Sequence, residues 1–89
     1  MILLDKGDVI TLSSGQEYVI AELIDYKDQE YLMLFETKEE MLFEQAKFVK
    51  TEYDKENHYS IMNIDDSEEL HEVINIFLPL FQEDYVELK

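Results

Sequence analysis

Residues 66–81 constrain this chain more than any other stretch, because their apolar side chains fall on one helical stripe behind a start signal. Leu70, Val73, Ile74, Phe77, Leu78 and Phe81 recur at i, i+3, i+4, i+7, i+8 and i+11. A period of 3.6 residues gathers such positions onto one face, and that face has to be buried. Asp66 stands where an N-cap belongs, with Glu69 three residues on. The pair predicts a capping box, in which both carboxylates meet first-turn amides and the positive end of the helix dipole. Pro79 sits inside the stripe, where its ring clashes with the preceding turn and its missing N–H leaves the Asn75 carbonyl without a donor. The helix is expected to end or bend near Leu78.

The upstream residues read as the surface this helix packs on. Val9-Ile10-Thr11-Leu12 is a short β-rich run, and Ser13-Ser14-Gly15-Gln16 is a hairpin loop whose glycine can take a positive φ. Residues 17–26 alternate, with Tyr18, Ile20, Glu22 and Ile24 assigned to one side and Val19, Ala21 and Leu23 to the other. After Lys27-Asp28-Gln29, the run Tyr31-Leu32-Met33-Leu34-Phe35 is apolar on both sides, as a central strand covered above and below would be. Residues 37–41 form a charged connection too short for a helix. Alternation returns over about residues 42–53, then after Asp54-Lys55-Glu56-Asn57 over residues 58–64, which makes a second hairpin. Residues 82–89 are left as an extended tail or short edge strand.

The expected fold is therefore α+β: an antiparallel meander of four to five strands, curled or barrel-like, with one C-terminal amphipathic helix packed on one face. All 89 residues form a single domain. One helix covers only one face of the sheet. Either the sheet curls to bury its own second face, or that face meets another chain, which would make a homodimer.

Composition narrows function by exclusion. A net charge of −15 accompanies a 46% apolar content, so this is a folding sequence with an acidic skin and not a disordered acidic tail. The basic residues are lysines, with no arginine to fork onto phosphates; direct nucleic-acid binding is not expected, and an anionic membrane would repel the domain. A charged partner would be basic. There is no cysteine, hence no disulfide or thiolate metal site. The amino-terminal apolar run is too short for a secretory core, and a cytoplasmic location is the expectation.

The order of elements resembles a family of short acidic bacterial proteins, the domain-of-unknown-function family 1292. The resemblance is carried by Asp8-Val9-Ile10-Thr11-Leu12 before a glycine turn, Glu17-Tyr18 opening a strand, Asp25-Tyr26 before Glu30-Tyr31-Leu32, and Asp65-Asp66-Ser67-Glu68-Glu69-Leu70 entering the helix. It covers residues 8–82. It implies a meander of strands followed by a helix, in a cytoplasmic protein, with no activity, cofactor or catalytic residue to carry over.

Asp65, Asp66, Glu68, Glu69 and Glu72 place five carboxylates in eight residues and are the candidate partner-binding residues. Such oxygen ligands suit a hard cation, but the glycine and twelfth-position glutamate of an EF-hand are missing, so capping and a solvated face are the plainer reading. No metal or cofactor is expected. His58 and His71 stand in no metal-ligand spacing, and no acid is flanked so as to suggest a desolvated acid/base pair, so an enzyme is not expected. The tyrosines, from Tyr18 to Tyr85, suit strands and protein contacts alike. The chain thus reads as a non-enzymatic interaction or regulatory module for a basic protein surface. The alternatives are a nucleic-acid mimic that inhibits a DNA- or RNA-binding protein, and the self-associating homodimer.

Overall fold

In a computed structural model, described here for residues 4–38, 40 and 42–85, five strands precede one helix. They are β1 (Val9–Thr11), β2 (Glu17–Tyr26), β3 (Gln29–Glu36), β4 (Lys47–Tyr53), β5 (Tyr59–Asn63) and α1 (Ser67–Tyr85). The strands form one antiparallel sheet in the order β1-β2-β3-β4-β5, curled into a half-barrel with α1 packed against it. The fold is α+β, as the sequence predicts. Residues 1–3, Glu39 and Met41 within the charged connection, and residues 86–89 of the tail lie outside the described residues.

β3 is central, and its run from Tyr31 to Phe35 is buried on both faces. Tyr31, Met33 and Phe35 turn toward α1, where they meet Ala21, Val73, Phe77 and Phe81. Leu32 and Leu34 turn the other way and join Leu4, Ile10, Ile20 and Val49 inside the curl. Ile20, Leu32, Leu34 and Val49 are each 0% exposed in the single chain, so the curl itself covers the second face.

The turns follow from local chemistry. Gly15 has a φ of 87° in the first hairpin loop, as its position predicts. Lys27 and Asp28 both lie in the left-handed region, at φ 52° and 62°, which makes the two-residue β2–β3 connection whose twist matches that of paired strands.

Alternation misassigns the second half of β2. The pairing steps from Ile20↔Leu34 to Glu22↔Met33, a bulge that sets Ala21 and Glu22 together opposite Met33. Beyond it the faces exchange: Leu23 joins Ile20 and Tyr18 inside the curl, while Ile24 joins Val19 and Ala21 toward α1. The fourth strand is also shorter than expected. Residues 43–45 form a 3₁₀ turn, which brings Phe43 back over the helix with its ring 5.4 Å from Phe81 and 5.7 Å from Phe48.

The helix does not stop at Leu78. It runs through Pro79 to Tyr85, so residues 82–85 are helical and not an extended tail. Asn75 and Pro79 are both exposed, so water can satisfy the orphaned carbonyl, while Phe81 and Tyr85 anchor the turns beyond. Phe81 lies 5.7 Å from Phe35, and the Tyr85 hydroxyl donates to the Ala21 carbonyl at 2.7 Å. The buried stripe is Val73, Phe77 and Phe81; Leu78 is 36% exposed and lies at its margin. Because the proline is tolerated and not needed, Pro79→Ala is expected to raise the unfolding free energy by about 1 kcal/mol or more, measured by urea denaturation. Loss of stability would show that the proline fixes a shape the helix needs.

Candidate functional site

The five acids singled out in the sequence divide into two groups. Asp66 is the N-cap: its Oδ1 accepts from the Glu68 N–H at 2.9 Å, and its carbonyl accepts from the Leu70 N–H at 3.0 Å. Glu69 does not reach back to complete a capping box. It accepts from the Tyr31 hydroxyl and lies 3.8 Å from Lys50 Nζ. Glu72, one turn on, accepts from the Tyr26 hydroxyl at 3.3 Å and lies 3.7 Å from Lys27 Nζ. These two carboxylates tie α1 to β2, β3 and β4. Asp65, Asp66 and Glu68 remain exposed at the helix start.

Tyr31 is 4% exposed, and burial together with the Glu69 carboxylate pushes its phenol up to about 12. Tyr53, which donates to Glu30 at 2.9 Å, is raised in the same direction, first by burial and then by that bond.

A second cluster sits at the β2 bulge and was not legible as a site. Glu22 is 5% exposed, with Oε2 3.2 Å from Lys6 Nζ. The same ammonium lies 2.6 Å from Asp84 and 5.5 Å from the centre of the Tyr85 ring. Lys6 thus joins the amino-terminal turn, the bulge and the end of α1. Its one sequence signal is Glu22, a glutamate set within the apolar run Val19-Ile20-Ala21 and Leu23-Ile24 of β2.

Burial, with Asp84 beside it, raises the Glu22 carboxyl above its usual range. A carboxyl raised in the folded state opposes folding above its folded pKa, and this opposition fades as pH falls through that value. Glu30, also raised by burial, acts in the same sense. Thermal unfolding is therefore expected a few degrees higher at about pH 5 than at about pH 7.5. Glu22→Gln should flatten the difference, and an unchanged difference would remove Glu22 from this role.

The sheet edges define the remaining surface. β1 and β5 face each other across the mouth of the half-barrel, where Thr11, Leu12 and Ser13 on one lip and Tyr59, Ile61 and Asn63 on the other enclose a cleft of about 470 Å³. On the helix side of β5, an apolar groove of about 520 Å³ runs between Phe43, Phe48, Ile64, Leu70 and Ile74. Asn63 borders both.

Comparison of the chain with protein-family models, curated proteins and solved structures gives no match. Among the described residues, no helix is long and apolar enough to cross a membrane.

Proposed function

We propose that this domain is a non-enzymatic interaction or regulatory module that binds a basic surface of another protein in the cytoplasm. The observation that carries the reading is the imbalance of charge left at the surface. The chain holds 22 acids against 7 lysines, and Lys6, Lys27 and Lys50 are already engaged by Glu22 and Asp84, by Glu72 and by Glu69. Asp65, Asp66 and Glu68 stand among the acids that face water. A field of one sign steers a cationic partner from a distance and holds polyanions off.

The exposed acids are scattered over turns, strands and helix, and this favours steering over a nucleic-acid mimic, which needs a regular ridge of charge. A homodimer through the second sheet face has little apolar surface left to bury, because the curl covers it.

Affinity capture from the native cell, followed by mass spectrometry, tests the reading. Retained proteins should be basic and should elute as salt is raised, because the screening length falls from ~30 Å at ~0.01 M to ~8 Å at ~0.15 M. Partners indifferent to salt, or acidic ones, would contradict it.

A further inference from the structure

We propose that β5 is a docking edge, to which an extended lysine- or arginine-bearing segment of a partner protein adds as a sixth strand. This inference deepens the reading of a basic partner and rests on it.

The backbone supplies the first argument. Among the described residues β5 pairs only with β4, so its other edge is open. The Asp54 N–H donates to the His58 carbonyl at 2.9 Å and closes the hairpin. Narrow and wide pairs alternate along an antiparallel ladder, so the N–H and C=O groups of Tyr59, Ile61 and Asn63 turn away from β4. A strand laid beside β5 would meet them in register.

The side chains supply the second. In a chain that is 33% charged, the edge strand Tyr59-Ser60-Ile61-Met62-Asn63 carries no charge at all. Tyr59 and Met62 are 38% and 37% exposed. Edge strands usually carry lysine, proline or a bulge that keeps other chains from pairing, and β5 has none of these. β1 is also an edge, but it is only three residues long. The two sides of an added strand would find different floors. Side chains pointing one way enter the cleft by Leu12 and Ile61, and those pointing the other way enter the groove by Ile64 and Leu70.

Charge selects the occupant. The uncharged edge is bracketed by exposed acids, Asp54 and Glu56 in the turn before it and Asp65 and Asp66 after it; Lys55 leaves that turn net acidic, and Lys47, which lines both floors, is outnumbered by these flanking carboxylates, so the cations of the segment belong at its ends and not in its middle. A second copy of this chain would bring −15 against −15. A segment with an apolar and polar alternating middle and a basic residue at each end meets both the edge and its flanks. At ~3.3 Å per residue, five residues span β5, so a segment of about seven reaches the flanking acids.

The test is amide hydrogen exchange on the full chain at low salt, with and without a synthetic ten-residue peptide. The peptide alternates valine and threonine between two arginines at each end. Binding is expected to slow exchange at Tyr59, Ile61 and Asn63 by about tenfold or more, because these amides then pair. Glu56→Lys combined with Asp65→Lys, both exposed positions, should weaken binding by about tenfold, and so should glutamine in place of the peptide's arginines, which leaves the protein untouched. If the peptide binds while exchange at these three amides stays fast, the docking edge is wrong and the basic-partner reading stands. If the peptide does not bind even at low salt, both fail. Slow exchange at all three in the free protein would also overturn the proposal: if independent of concentration, a terminal segment of this chain holds the edge, and if concentration-dependent, a second copy does.

Discussion

Replacing Phe77 by alanine is expected to lower the unfolding free energy by about 3–5 kcal/mol, a large part of the ~4–13 kcal/mol a domain of this length has to lose. Phe77 is 0% exposed, its ring lies 5.6 Å from that of Phe48, and it packs between Val73 and Phe81 on the face α1 turns to the sheet. Truncation removes both the transfer of a phenyl ring from water and the contacts of its neighbours, which the stiff central strands cannot close up to restore. Leu78 is the matched control, since it is the next residue on the same helix but 36% exposed. Leu78→Ala should cost less than about 1 kcal/mol. Urea denaturation of the two variants checks the assignment, and equal losses would mean that α1 is rotated from the orientation described.

High pH is the second strong perturbation. Tyr31 is held to about 12 by burial and by Glu69, against 10.0 for an ordinary phenol. A group whose folded pKa is raised contributes stability that is complete below its unfolded value and is lost as pH climbs through the folded one. A difference of two units corresponds to about 2–3 kcal/mol, lost between about pH 10 and pH 12. Tyr53 and Tyr85 are raised in the same direction, chiefly by burial, and Lys27, raised by Glu72 beside it, loses its contribution over the same alkaline range. Denaturant unfolding at about pH 9 and about pH 11, with tyrosinate absorbance followed in parallel, should show a steep fall in stability and late-ionising phenols of which Tyr31 is the last. Tyr31→Phe should lose the last of these phenols and lessen the fall. If its alkaline profile matches that of the parent, Tyr31 does not hold its proton in the way described.

Much of the fold was legible in residue order because the signals were local and mutually consistent. The bounds of β2 followed from alternation between a glycine loop and a charged turn, and the burial of β3 on both faces followed from five apolar residues in a row. Asp66 was legible as a cap because capping is a property of three or four neighbouring residues. What sequence missed depends on distant partners. The bulge at Ala21 and Glu22 adds one residue to one strand, and strict alternation cannot show where the faces exchange. Continuation through Pro79 depends on Phe81 meeting Phe35 on β3 and Phe43 in the 3₁₀ turn, both far away in the chain. Of the candidate site, Asp65 and Glu68 lie in water as an acidic run suggests, whereas Glu69 and Glu72 turned out to bind the sheet. Helical spacing places them on the flank of the buried stripe but cannot name Tyr31 and Tyr26 as their partners.

The most direct measurement is the affinity of the intact domain for a basic peptide, read by calorimetry over a series of salt concentrations. If the acidic surface does the binding, affinity should fall by tenfold or more between ~0.02 M and ~0.2 M salt, with a glutamine-substituted peptide silent throughout. Equal affinity at both ends of the series, or equal binding of the uncharged peptide, would contradict recognition through charge.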